Sequence, residues 1–584
     1  MPRSSPGRLV RRLLLLLVVV VLALVAYTGY QALTVKSNLE RAAGDFATLS
    51  HQLTSGDASG ARATLGSAQR HARAARDGSS GPGWWLTRRI PGVGPNVAAV
   101  RSVARVADDL ASRVLPDVVD ATATMGPEQL RPVHGRIDLA PIRAAAPMVV
   151  RADQRLAAED ARVQAIRLGP LAPQIASPVR LMQKRLDEAS TLSGRLSRAV
   201  RLLPPMLGAE GPRTYLLMLQ SNAEARSTGG VPGAFATVRA DRGKVSFGRQ
   251  ADAPLSGRFD RPVLPLTSEE TALFGTGLGH DARDVNRTPD FPRSAQLLRA
   301  MWRARTGEDV DGVLSVDPVA LAHVLRGTGP VQVPGGRLTA DDAVRTLLSS
   351  VYARLPDPRD QRAYVQVVAR TVFDAVSSGQ GHPVTVLSQL ATSVQDGRVL
   401  LWSAHRAGQA LIEPTDLSGA LATQGGSAPR VGVFLNDGGA SRLDFYLGYD
   451  VEVTSRACSA QRQLLTVTLH LRSRVPKSAA DLPDQVLNHT RGLNPGVIRL
   501  TVLGYAPVGG RFDGSTLDGK TTPLSPRQHA GRQVVAQTVD IRPGAVHTLT
   551  WQVVGGRGQL GRAQLRVTPG AHSSGLGSVT GSAC

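Results

Sequence analysis

Arg213-Thr-Tyr-Leu-Leu-Met-Leu-Gln-Ser-Asn222-Ala-Glu224-Ala-Arg226-Ser-Thr-Gly229-Gly230-Val-Pro-Gly233-Ala-Phe-Ala-Thr-Val238 is the stretch whose reading decides the fold. Residues 215–219 form an unbroken apolar run of strand length, and residues 234–238 form a second. Between them lie an amide, a carboxylate and a guanidinium, on Asn222, Glu224 and Arg226, followed by three glycines. Such a polar cluster at a strand end, beside glycine that lets backbone approach closely, is how α/β proteins build ligand sites. The same spacing also suits a glycine-rich hairpin with a surface ion pair.

Towards the C-terminus strands and helices alternate. Strands are predicted at 215–219, 234–239, 312–316 and 331–333, and helices at 292–305, 318–325, 339–355 and 361–377. Asp317-Pro318 and Thr339-Ala-Asp-Asp342 read as helix starts, with proline in the first turn and acids near the positive end of the dipole. A helix, strand and helix from 383 to about 421 close an α/β sandwich spanning 206–425. Beyond it, Leu465, Val467, Leu469 and Leu471 alternate with Thr466, Thr468, His470 and Arg472. Further short runs at 498–502, 534–539, 549–553 and 565–567 predict an all-β, immunoglobulin-like sandwich over 426–584.

Towards the N-terminus the periodicity becomes helical. Val35, Leu39, Ala42, Phe46, Leu49 and Leu53 form an a/d seam, which Val100, Val103, Ala107, Leu110 and Val114 repeat. Glycine and proline breaks separate such segments, so 34–205 reads as an all-α stalk of antiparallel helices. Trp84-Trp85 beside Arg88-Arg89 either lies on a membrane surface or wedges two helices together. Residues 1–12 carry four arginines and no acid, and 13–26 are wholly apolar. The expectation is a cytoplasmic tail at 1–12, an uncleaved transmembrane signal-anchor at 13–33 and the bulk of the chain outside the cytoplasm.

The net charge is +22, from 68 Lys and Arg against 46 Asp and Glu, in a chain of 584 residues. A basic exterior suits anionic neighbours such as lipid headgroups, lipid pyrophosphates or phosphate-rich wall polymers. Nucleic acid is not expected, because the arginines are dispersed and aromatics make up only 4%. The two cysteines, Cys458 and Cys584, match no metal or redox spacing and read either as a disulfide or as two unpaired thiols. No Gly-x-Ser-x-Gly, His-Glu-x-x-His or phosphate loop is present, and His280, His323 and His382 show no ligand spacing.

The stretch 213–238 resembles the signature of an uncharacterised bacterial envelope family, domain of unknown function 4012. The resemblance continues through Asp284-Val-Asn-Arg-Thr-Pro-Asp-Phe-Pro-Arg293, Val310-Asp-Gly-Val-Leu-Ser-Val-Asp317 and Gly329-Pro-Val331. The order of elements over 206–380 also resembles the LytR–CpsA–Psr family. That resemblance rests on the cluster ending at Arg226, on Gly329-Pro330 in place of a glycine pair, on Tyr352-Ala353-Arg354, and on Arg362 with Gln366. It implies an extracytoplasmic domain that handles polyprenyl-phosphate-linked glycans with a divalent metal such as magnesium.

On that basis Asn222, Glu224, Arg226, Arg354, Arg362 and Gln366 are the candidate ligand-binding residues, and Glu224 with Asp252 the candidate metal ligands. Arginine offers a phosphate a planar fork of donors, and Arg362 and Gln366 share one helical face near its start. The departures bear on the metal. Asn222 stands where the family places its first metal-binding aspartate, the second falls near Gly229, and Pro356 replaces a second arginine. Asp284, Asn286 and Asp290 could instead fold back on their own backbone as a turn. Three functions remain open: a membrane-anchored envelope protein binding polyprenyl-phosphate glycan or anionic wall polymer, a metal-dependent phosphoglycosyl transferase, and a non-catalytic scaffold of wall assembly.

Overall fold

The seam beginning at Val35 is one face of a 50-residue helix, α1 (Pro6–Ser55). Val35, Ala42 and Leu49 are each 1% exposed, and α2 (Ala58–Gly78) packs over the seam with Ala61, Ala68 and Ala72. Small alanines of α2 receive the larger Leu39, Phe46 and Leu49 of α1, which lets the two helices approach closely. A short helix, α3 (Pro82–Thr87), precedes α4 (Gly94–Asp109), which runs through a π-turn, Leu110–Val114, into α5 (Leu115–Thr124). The wide turn has a local cause: Pro116 lacks an N–H and its ring crowds the carbonyl one turn back. Two longer helices follow, α6 (Ala140–Gln164) and α7 (Pro173–Met206).

The structure is a computed structural model describing residues 6–55, 57–125, 131–250, 255–572 and 577–584, without the side chains of 6–29, 54, 58, 82, 250 and 480. The membrane-spanning helix expected over 13–33 is overturned. Among the described residues no helix is long and apolar enough to cross a membrane. From residue 30 onward α1 carries Lys36, Glu40 and Arg41 away from its apolar seam, the pattern of a helix that packs on one side. The apolar run 13–26 itself lies outside the described side chains.

Two compact units emerge, residues 1–130 with 138–204, and residues 131–137 with 205–584. The second is built on β1 (Arg213–Arg226), whose Leu216 and Met218 face one core and Tyr215, Leu217 and Leu219 another. A strand apolar on both faces belongs in the middle of a covered sheet. It lies there, in the order β3-β2-β1-β4-β7, with β2 (Gly229–Asp241), β3 (Lys244–Gln250), β4 (Gly312–Val316) and β7 (Val399–Ser403). Only the β1–β4 pair is parallel in this sheet. The run 331–333 is β5 (Val331–Val333), which leaves the main sheet and pairs with β6 (Gly336–Leu338) in a separate hairpin.

Two further sheets follow in the chain. With β12 (Arg511–Leu517), β13 (Lys520–Thr521) and β14 (Arg527–His529) as short outer strands, one has the order β13-β12-β16-β10-β9-β18 and the other β14-β15-β11-β8-β17. Their central strands are β8 (Arg430–Asp437), β9 (Leu447–Ser459), β10 (Arg462–Ser473), β11 (Ile498–Tyr505), β15 (Arg532–Ile541) and β16 (Val546–Val554). Leu465, Val467, Leu469 and Leu471 of β10 are at most 1% exposed. These sheets are mixed, which departs from the immunoglobulin-like expectation. The end of the chain returns alongside earlier strands, so β17 (Gln564–Val567) pairs in parallel with β8 and β18 (Ser578–Val579) with β9. A Cys458–Cys584 disulfide fastens that return. One buried core contains Ala223, Leu347 and Tyr352 together with Val433, Leu465, Val467, Leu469 and Trp551, so it runs without a break from the helices into the later sheets.

Candidate functional site

The hairpin of β1 and β2 is irregular where its polar residues lie. Ser221 pairs with Val231 and Ala225 with Gly230, so Asn222, Ala223 and Glu224 bulge out of the ladder. A bulge re-aims side chains, and here it sends neighbouring residues into different surroundings. Gly230 makes this geometry possible, because a Cβ there would collide with the Ser221 carbonyl oxygen. Gly229 has φ +140°, a conformation open to glycine.

Asn222 points into the interior. Its Nδ2 donates to Asp317 Oδ2 at 3.0 Å and to the Pro569 carbonyl at 3.0 Å. Asp317 also accepts from Arg398 at 2.8 Å, and Arg398 donates to the Gly570 carbonyl at 2.9 Å. The other Asp317 oxygen caps the helix Pro318–Thr328 through the Ala320 N–H at 2.8 Å. Asp317 and Arg398 are each 2% exposed, so this is a buried ion pair that joins the α/β sheet to the returning C-terminal segment.

Glu224 and Arg226 lie at a second junction. Arg226 donates to Glu224 at 2.7 Å and stands 3.6 Å from Asp284, whose other cationic partner is Arg287 at 2.8 Å. Ala225 N–H donates to Asp444 at 2.7 Å, and Ser227 N–H to Asn436 at 3.0 Å. Burial opposes the charge on Arg226, but Glu224, Asp284 and Asp437 outweigh it and raise the guanidinium above its ordinary value. Asp437 is pushed up to about 7, first by burial and then by the negative charge of Glu224. Asp444 is raised well above the carboxylate range, by burial and then by Asp437. Two acids on this scale share the junction with one buried arginine, so the pair favours holding a proton.

Asn286 belongs to the same construction. It donates to Gln220 Oε1 and to the Gly230 carbonyl, each at 2.8 Å, and is fully buried. The segment around Asp284 therefore braces the hairpin, although Asp284 also keeps the turn-like ion pair to Arg287.

A cleft of about 840 Å³ opens beside the bulge. Leu219, Val231, Phe235, Leu255, Leu347, Leu348, Val351 and Val365 supply its apolar wall. Glu224, Arg283, Arg359, Arg362, Gln366 and Arg442 supply its polar groups. Arg359 and Arg362 come from the first turns of the helix Pro358–Ser377, capped by Asp357, where the dipole also favours an anion. Arg442 lies over the Tyr352 ring at 4.7 Å, and Arg283 is paired with Asp281 at 2.8 Å. The volume suits a small-molecule site, and the mixture of an apolar wall with a few convergent charges suits an amphiphilic anion.

The structure thus brings Glu224, Arg362 and Gln366 to the lining of one cleft. Asn222 and Arg226 lie in buried joints and are not among the cleft residues; each bonds to protein partners and is almost wholly enclosed. Arg354 is exposed, lies over Tyr364 at 5.2 Å and is not among the cleft residues. Asp252 lies outside the described residues. Arg359, Arg442, Arg283, Asp317, Arg398, Asp437 and Asp444 escaped the sequence reading as site residues. Only Arg359 carried a usable signal, since it precedes Arg362 by one helical turn.

Among the described residues no three His, Cys, Asp or Glu side chains converge as a cation cage, and Glu224 is held by Arg226. Comparison with known proteins gives one family: the family model described as a protein of unknown function, DUF4012, matches residues 210–352. The matched segment contains the hairpin, Asp317 and much of the apolar wall of the cleft. No curated protein and no solved structure matches the chain.

Proposed function

We propose that this is a cell-envelope protein whose cleft binds a polyprenyl-phosphate-linked glycan. The observation that carries the reading is the pairing, in one cleft, of a continuous apolar wall with Arg359, Arg362 and Arg442. The wall receives the start of the prenyl chain. The arginines receive phosphate with charge-assisted, forked hydrogen bonds. Glu224 repels phosphate, so it orients the ligand with its glycan hydroxyls towards the bulge, where a carboxylate can accept from them. The LytR–CpsA–Psr resemblance supports the same ligand class. The Cys458–Cys584 disulfide supports a location outside the cytoplasm, where such bonds persist.

A magnesium-dependent transfer has less support, because the carboxylate nearest the cleft is already paired with Arg226. The binding reading is tested with the full chain and a short-chain prenyl phosphate, titrated by calorimetry. Arg362→Ala weakens binding roughly tenfold to a hundredfold, the worth of one charge-assisted contact of about 1.5–3 kcal/mol. Arg354→Ala, outside the cleft, leaves it unchanged. Equal affinities for wild type and Arg362→Ala would end this reading.

A further inference from the structure

The two adjacent tryptophans of the helical unit are used differently. Trp84 is 4% exposed and packs with Val35 of α1 and Val97 of α4, so it is the wedge between helices. Trp85 is 55% exposed, and the Arg89 guanidinium lies 3.7 Å from its ring centre. The chain's other tryptophans, Trp302, Trp402 and Trp551, are all buried. Around Trp85 the exposed apolar side chains continue with Leu86, Ile90 and Val93, at 47%, 47% and 44%. At the same end, α1 exposes Tyr30 and Leu33, within about one and a half turns of the Val35 that Trp84 covers.

The knuckle from α3 to α4 is a folded turn. The N–H groups of Arg88, Arg89, Ile90, Val93 and Gly94 are all bonded to carbonyls within it. Its backbone can therefore enter a weakly hydrated layer without leaving those donors unsatisfied. Its charge has one sign: residues 78–107 hold Arg88, Arg89, Arg101 and Arg105 and no Asp or Glu. An aromatic ring and aliphatic side chains flanked by unopposed arginines match the interface of a bilayer, with rings at headgroup depth and guanidinium on phosphate.

We infer that the Trp85–Val93 knuckle docks on an anionic lipid surface. The inference is independent of the cleft and of its ligand. It is tested on the full chain with vesicles of phosphatidylglycerol or phosphatidylcholine carrying brominated acyl chains, which quench nearby tryptophan. The expected result is quenching in phosphatidylglycerol that disappears in Trp85→Phe, because the remaining tryptophans are enclosed. Replacing both Arg88 and Arg89 by glutamine should cut that quenching about threefold or more, and raised salt should act in the same direction. Emission from Trp85 unaffected by either lipid would overturn the inference. So would a Trp85 signal that follows protein concentration without lipid, which would identify a second copy of the chain as the occupant.

Discussion

Asp437→Asn tests the buried acids behind the cleft. In the folded chain burial and then Glu224 push Asp437 from its ordinary 3.8 up to about 7. Between about pH 4 and 7 the unfolded chain has released this proton while the native chain retains it. The unfolded state then binds fewer protons, so stability falls as pH rises, by about 1.4 kcal/mol per pH unit. The favourable contribution is complete below about pH 4 and lost as pH passes about 7, a span of roughly 4 kcal/mol. Asparagine has no proton to lose and keeps an oxygen that can accept from the Ser441 N–H, which lies 3.4 Å from Asp437. The assay is denaturant unfolding of both chains from pH 4 to 8, followed by the emission of buried Trp302, Trp402 and Trp551. His323, His529 and His572, which burial lowers, give slopes of the opposite sign. Those slopes occur in both chains and cancel in the difference, whereas Asp444, which Asp437 pushes up, shifts with the substitution, so the difference reads the coupled pair. Relative to wild type, Asp437→Asn should therefore gain roughly 4 kcal/mol between pH 4 and 8. A difference that stays constant across that range would refute the shifted acid.

Two further outcomes concern the joints of the second unit. Arg398→Met strands the Asp317 carboxylate, which is 2% exposed, and should cost about 3–5 kcal/mol in urea unfolding at pH 7; adding Asp317→Asn should recover part of that loss. Gly230→Ala drives a Cβ into the Ser221 carbonyl oxygen and should cost more than about 4 kcal/mol, whereas Gly233→Ala, whose nearest neighbour is 3.7 Å away, should change stability by less than about 1 kcal/mol. Equal stabilities for the two alanine variants would show that the bulge is not pinned at Gly230.

What was legible in the sequence was local. Period-two alternation marked β10, and apolar runs with proline at the first turn marked β4 and the helix after it, because side-chain direction repeats within each element. The apolar seam of α1 was legible for the same reason, but the span expected before it rested on an apolar run after an arginine-rich tail, with no packing pattern behind it. The cleft was half legible. Arg362 and Gln366 are one turn apart and could be paired from spacing, whereas Arg442 reaches the same wall from another part of the chain. The direction of each side chain in the cluster at 222–226 was not legible, since nothing local says whether a bulge turns a polar residue outward or inward. Asn222 shows what decides the matter. Its amide donates to Asp317, the carboxylate that Arg398 neutralises and that caps a helix. An aspartate at 222 would set a second buried carboxylate against the first, at a distance where two negative charges cannot both persist. The amide that looked like a lost metal ligand is what the Asp317–Arg398 pair requires of its neighbour, so the bulge divides its work, with Glu224 left to face the cleft and Asn222 turned inward to hold the chain's last segment in place.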